Sequence, residues 1–386
     1  MRRATSRARS LRAPAEWGRE PLVPLVDLKA QYRTIEREID GALREVLESQ
    51  QFILGPAVES FEDSFARYLG VTHFVGASSG TTALWLALRA VGVEEGDEVV
   101  TTALTYFATI EAIAGCGAVP VFVDVEPRTL TLDPALVERA IGPKTKAIVA
   151  VHLYGQTADM DALNSLAAAR GVTVVEDAAQ AAGSRYKGRK AGTLARAAAF
   201  SFYPGKNLGA YGDAGGVATS DDAVAAAVRR LRHHGMEEKN RHDVMGINAR
   251  MDALQAAVLS AKLPRLDAWN AARRRLAEAY RRALTGVAEL ACLEGADAGE
   301  SNQHLFVVRH RRRDALLAHL RGRGIEAAVH YPIASHRQPA LGALATTPGL
   351  LPVVERAVGE VLSLPLFPEM TPAQVTRVID AIRSFR

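Results

Sequence analysis

Short apolar runs of strand length alternate with helical stretches through the first half of this chain, and few folds accommodate that order. Strands are expected over residues 98–102, 119–123, 147–151, 172–176 and 197–203, with helices over 106–115, 134–141 and 159–170 between them. Earlier helices are expected over 25–50, 58–68 and 80–90. Strand, helix, strand at this spacing means an α/β fold with a mostly parallel central sheet flanked by helices. Ligands of such sheets gather at the carboxyl ends of the strands. Chemistry-bearing residues at those ends therefore carry the most weight.

A chain of 386 residues exceeds one ordinary core, so a second domain is expected. The pattern changes near Lys262. An Arg-rich helical run over 263–284, with Trp269 and Tyr280 at apolar positions, can bridge two units. Beyond it come a strand at 304–310 and helices at 313–321 and 371–382. The expected organisation is a disordered basic arm at 1–20, a large domain at 21–264 and a smaller α+β domain at 265–386.

Hydrophobic residues make up 48% of the chain, enough for a large core. No apolar run reaches the roughly 18 residues of a membrane span, so a soluble, cytoplasmic protein is expected. The net charge of +4 is partly local: Arg2, Arg3, Arg7, Arg9 and Arg12 precede the first acid, Glu16. Such an arm could meet nucleic acid or an import receptor, but it lacks the apolar region of a secretory signal. Past residue 20 the charges mix in sign, and no nucleic-acid partner is expected. Cys116 and Cys292 lie far apart in apolar contexts and are expected as reduced thiols. No metal is expected: no CxxC or HExxH pattern occurs, and the adjacent His233 and His234 cannot share a helix face.

Four groups could carry chemistry. Lys206, in "FSFYPGKNLGAYGDAGG", follows an apolar strand on a turn punctuated by glycines. A buried lysine there would lose its charge and become a nucleophile toward carbonyls; a surface lysine in a flexible loop is the alternative. Asp177 ends the strand in "VTVVEDAAQ", with Glu176 expected on the opposite face. Its alternative is a helix N-cap. "SSGTTAL" opens a helix where the N–H groups of Gly80 and Thr81 would face an anion, unless Ser78 and Ser79 merely cap it. Ser201, five residues before the lysine, adds a hydroxyl. Tyr106 could stack on a flat ring or sit in the core.

Together these strings resemble the DegT/DnrJ/EryC1/StrS family of sugar aminotransferases dependent on pyridoxal 5′-phosphate (PLP). "SGTTAL", "VHLYGQTADMDAL", "VVEDAAQAAG", "FSFYPGKNLGAYGD", "GINARMDALQAAVL", "VHYP" and "LSLP" carry the resemblance in order, from about residue 23 to the end. It implies PLP-dependent transferase fold type I and a homodimer with its active site at the subunit interface. It also implies transfer of an amino group from glutamate or glutamine to a nucleotide-linked keto-sugar, at C3 or C4. Lys206 matches the Schiff-base lysine, Asp177 the partner of the pyridine nitrogen, and Gln180 the contact to the ring hydroxyl. Gly80, Thr81 and Ser201 match phosphate binders, and Tyr106 the stacking aromatic. Asn248 matches an asparagine reaching the phosphate from the other subunit. Arg250 is similar to a substrate contact from that subunit, and His330 and Tyr331 to substrate-lining residues. For these three the alternatives are an ion pair with Asp252 and ordinary loop packing.

The chain departs from the pattern at Ala182, where many members carry histidine, and at Ser79, where many carry asparagine. The basic arm lies outside the pattern altogether. Family members acting as sugar dehydratases carry histidine at the lysine position, which Lys206 opposes. A cyclitol ketone as acceptor, or a PLP-bound regulatory protein without turnover, are the other readings.

Overall fold

A computed structural model describes residues 22–386 except 297, 343, 345 and 348; the basic arm lies outside the described residues. Seven strands form the central sheet: β1 (His73–Ala77), β2 (Glu98–Thr102), β3 (Val119–Val123), β4 (Thr145–Val151), β5 (Thr173–Asp177), β6 (Ala197–Ser201) and β7 (Gly215–Thr219). Their order is β1-β7-β6-β5-β4-β2-β3. β7 runs antiparallel to both neighbours, and the other pairings are parallel. β1 therefore points the same way as β6, and six carboxyl ends meet along one edge. A strand such as "AIVAV" is a continuous apolar run because helices cover both faces.

One face packs on the helix Pro56–Leu69, whose Phe61 and Phe65 stand one turn apart. Phe65 meets Phe74 of β1 at 4.7 Å and Phe200 of β6 at 5.2 Å between centroids, both edge-on. The other face receives the helix Gly80–Ala90, which buries Ala83, Leu84, Leu86, Ala87 and Leu88. A helix apolar on this many sides belongs between layers, and its amino end is held at the carboxyl edge of the sheet.

A second core forms around the helix Leu266–Leu284 and a sheet of β8 (Leu290–Cys292), β9 (Phe306–His310) and β10 (Val361–Leu364). Tyr280 packs on Phe306 at 5.2 Å, and the last helix, Pro372–Arg383, buries Val378 and Ile382 against the same cluster. The start of the described chain is tied here. Val23 donates to the Gly324 carbonyl at 2.9 Å and accepts from the Glu326 N–H at 2.9 Å.

The structure differs from the sequence reading at several places, among them strands β8 and β10 and the helices Ala253–Lys262 and Pro352–Glu360, none of them expected. The helix expected over 25–50 is two, Leu28–Thr34 and Glu36–Ser49, broken at Ile35. Ile35 leaves helical geometry (φ −138°) and is buried with Ile39, Val258 and Trp269, so packing overrides helical continuity. β1 and β7 were not expected, being short and glycine-bearing. No helix follows Asp177; residues 178–184 form turns, and the N-cap alternative falls.

Candidate active site

Five strand ends deliver side chains to one cavity of about 560 Å³. β1 supplies Ser79, Gly80 and Thr81, β2 supplies Thr105, Tyr106 and Thr109, and β4 supplies His152. β5 supplies Asp177 and Gln180, and β6 supplies Ser201 and Lys206. His304, His330 and Tyr331 close it from the C-terminal part of the chain.

The Lys206 loop is built, not loose. Lys206 N–H donates to the Tyr203 carbonyl at 2.8 Å, and Ala210 N–H returns to Phe202 at 2.8 Å. Asn207 donates its amide to Asn270 Oδ1 at 2.7 Å and to the Asn302 carbonyl at 3.0 Å. A side chain at Gly209 would place its Cβ 2.3 Å from the Pro204 carbonyl oxygen, so only glycine allows the turn. Lys262, fully buried, donates its Nζ to the Gly209 carbonyl at 2.7 Å. Burial pushes the Lys206 amine down to about 8, with the Asp177 carboxylate pulling the other way. The flexible-loop alternative is excluded.

Asp177 accepts at Oδ2 from the Thr109 hydroxyl at 2.8 Å and at Oδ1 from the Ala179 N–H at 3.2 Å. Thr109 Oγ1 also lies 2.8 Å from Thr105 Oγ1. Since the Thr109 proton goes to the carboxylate, Thr105 is the donor in that pair. Glu176 faces the other way, as period two requires. It accepts from Gly192, Leu194 and Ala195 N–H groups and from His152 Nε2 at 2.6, 2.7, 3.0 and 2.9 Å. His152 Nδ1 accepts from Ala158 N–H at 3.2 Å, which puts the imidazole proton on Nε2.

The amino end of the helix Gly80–Ala90 carries a capping box: Ser79 Oγ accepts from Thr82 N–H at 3.1 Å and Ser79 N–H donates to Thr82 Oγ1 at 3.0 Å. Capping thus accounts for Ser79, while the Gly80 and Thr81 N–H groups find no partner among the described residues. A Cβ on Gly80 would come within 2.5 Å of Ser201 Cβ; glycine lets the helix end close on the Ser201 hydroxyl, leaving a cradle of donors.

Tyr106 is 60% exposed, which removes the core alternative, and its ring lies 5.5 Å from that of Tyr331. Gln180 accepts from Tyr154 N–H at 2.6 Å and donates to the Tyr331 hydroxyl at 3.1 Å. Tyr154 in turn donates its hydroxyl to the His330 carbonyl. His330 bonds Ser363 Oγ at 2.8 Å, and burial, then the Lys206 charge, pushes its imidazole down to about 4.

The sequence reading missed His304. Its Nδ1 lies 3.0 Å from Asn207 Oδ1, whose amide nitrogen is already a donor, so His304 Nδ1 carries the proton. Burial, with the Lys206 and Arg273 charges, holds this imidazole well below the usual histidine range. His152 and Thr109 were also missed. His152 stood in a quoted string with no role attached, whereas nothing local marks Thr109.

Asn248 and Arg250 lie elsewhere, in a separate groove of about 610 Å³ with Ser78, Ser79, Gly212, Asp213, Asp252 and Gln255. Ser79 and Asp213 line both spaces. Arg250 lies 3.1 Å from His233 Nδ1 through Nη1, and its Nε is buried without a partner. It forms no ion pair with Asp252. Among the described residues no cluster suited to a metal ion occurs, and Cys116 and Cys292 are free thiols.

The family model for DegT/DnrJ/EryC1/StrS aminotransferases matches residues 33–383. The chain is 47% identical to dTDP-3-amino-3,4,6-trideoxy-alpha-D-glucose transaminase of Streptomyces venezuelae, over 95% of this chain and 96% of the relative. Its structure is similar to that of S. venezuelae DesV, solved with a ketimine intermediate, with a TM-score of 0.92 and 47% identity over 94% and 98% of the two chains. NtdA of Bacillus subtilis, solved with its bound cofactor PMP, matches at a TM-score of 0.84 and 32% identity, over 96% and 85%. The fold is that of PLP-dependent aminotransferases, and PLP is the cofactor. The cavity fits it: a desolvated amine, a carboxylate held by two hydrogen bonds, and an anion cradle at a helix end that admits no Cβ. This protein belongs to the DegT/DnrJ/EryC1/StrS aminotransferase family.

Proposed function

We propose that the protein moves an amino group from glutamate, or glutamine, to a nucleotide-linked keto-sugar at C3 or C4. The name of the S. venezuelae relative, a 3-amino sugar transaminase, favours C3. The observation that carries this reading is a desolvated lysine, pushed down to about 8, facing Asp177 across one cavity.

Bound there, PLP supplies an aldehyde that condenses with amines and a ring that takes up the electron pair left when a neighbouring carbon loses its proton. Lys206 Nζ would hold the aldehyde at rest. Freed from it, the same nitrogen would take the proton from the donor's α-carbon and return one on the acceptor side. Asp177 would keep the ring nitrogen protonated, with Thr109 orienting that carboxylate. Gly80, Thr81 and Ser201 would hold the phosphate, Gln180 the ring hydroxyl and Tyr106 the ring face. His330 and Tyr331 line the substrate space.

A second copy of this chain would complete the site. The groove that holds Asn248 and Arg250 opens to solvent beside exposed Tyr211, with Val244 and Met245 exposed nearby in the chain. In a homodimer Asn248 would reach the partner's phosphate and Arg250 its substrate. The separate core around the helix Leu266–Leu284 supports a small domain beginning near residue 265. Nucleotide sugars and glutamate are solutes of the cytoplasm, where we place the protein; among the described residues no helix is long and apolar enough to cross a membrane.

The test is optical and then by mass. Glutamate added to the PLP-loaded protein should bleach the aldehyde band and raise that of the aminated cofactor. A panel of nucleotide keto-sugars should restore the first band and yield an aminated product. No spectral response to glutamate or glutamine would overturn the reading, and a response restored only by cyclitol ketones would move the acceptor class.

A further inference from the structure

Arg273, on the helix Leu266–Leu284, is a buried cation on the cavity wall, only 4% exposed. Its Nη1 donates to three carbonyl oxygens, those of Leu366 at 2.8 Å, His304 at 3.3 Å and Gln303 at 3.4 Å. The opposite edge is unpartnered. Nε is buried with no partner, and Nη2 makes no hydrogen bond among the described residues. Those two groups form the parallel pair of N–H bonds that matches the two oxygens of a carboxylate.

No carboxylate pairs with this guanidinium among the described residues; Glu369 acts on it only at a distance. Burial pushes it down to about 10, so it remains charged at neutral pH. Lys206 and Arg273 are the cations on the cavity wall, and Lys206 is committed to the cofactor. His304 and His330, pushed below neutrality, add no charge. A buried guanidinium with an unpartnered edge is costly unless an anion meets it. Leu25, Val26, Leu305 and Leu366 line the same cavity and suit the methylenes of a short chain.

We infer that the free edge of Arg273 receives a carboxylate of the amino donor, a short dicarboxylic amino acid. This rests on the aminotransferase reading of the cavity. Nη1 clamps the loops, while the Nε–Nη2 edge reads the ligand, so the residue holds structure and donor at once.

Glutarate, a dicarboxylate with no amine to react, is the probe. Its affinity for the PLP-loaded protein is measured by calorimetry beside that of its uncharged diamide. The wild-type protein should prefer glutarate by roughly 30-fold or more, the size expected of a bidentate charged contact. In Arg273→Gln the preference should collapse toward parity. Arg273→Lys, which keeps the charge without the fork, should retain part of it, and it carries the test if the glutamine variant does not fold. A purely structural role would weaken both ligands alike and leave their ratio unchanged. An unchanged ratio in the folded variants, or no preference in the wild type, overturns the inference. The wild-type absorbance change with glutamate tests the aminotransferase reading separately.

Discussion

The lysine cavity and the Asn248 groove share Ser79 and Asp213, yet they are built differently. In the cavity the groups assigned to the cofactor are anchored: Asp177 by Thr109, Gln180 by Tyr154 and Tyr331, and the Lys206 loop by Asn207 and Lys262. In the groove Asn248 is exposed, and Arg250 is held through one nitrogen by His233 alone. Anchored groups mark chemistry that one chain can position alone. Unanchored ones suit a surface that meets a ligand from outside, which in the proposed homodimer would be the second subunit's site.

The largest effect should fall in the cavity. An arginine side chain keeps a charge but cannot condense with an aldehyde or give up its proton, so Lys206→Arg should lower turnover by about 10⁴-fold or more. Steady-state rates check this; wild-type-like turnover would remove Lys206 from the mechanism. The groove predicts something the cavity cannot. Arg250→Ala alone should lose roughly a hundredfold, the cost of a charged substrate contact. Mixed and re-equilibrated with Lys206→Arg, it should recover activity, because in the proposed homodimer a mixed pair would hold one site with both residues intact. If mixing restores nothing, Arg250 serves its own chain and the contrast between the two regions disappears.

Two smaller effects sharpen the contrast. Lys206 attacks an aldehyde only as the free amine, the form that dominates above its depressed value of about 8. The rate of PLP capture by the cofactor-free protein should therefore rise about tenfold between pH ~7 and ~9 and then level off. A rise that continued to pH ~10.4, the ordinary lysine value, would mean that burial does not tune the amine. Thr109→Val removes one hydrogen bond to Asp177 and should slow the glutamate half-reaction about fivefold. It should also shift the pH dependence of the cofactor's absorbance, which mere loosening of the fold would leave in place.

How much of this could be read in the sequence follows from the range of each interaction. Lys206, Asp177 and Ser201 stood out as candidates because strand ends and turn residues are local signals, and β5 and β6 are neighbours in the sheet, but only the family resemblance gave them roles. Glu176 followed from period two alone. Thr109 was not legible: it meets Asp177 across 68 residues. Arg273 and His304 were hidden for the same reason, since folding brings them to the cavity from the long helix and from the chain beyond it. β1 and β7 escaped because short strands with glycine look like turns until their neighbours are known. The break at Ile35 is a tertiary effect that helical periodicity cannot show.

Reduction with borohydride makes the bond between a lysine and PLP permanent, and peptide mass mapping then locates it. The phosphopyridoxyl mass should sit on the peptide that holds Lys206, at one label per chain, and vanish in Lys206→Arg. Label on another lysine, Lys262 included, or none on a protein that retains the cofactor, would contradict the assignment of this cavity.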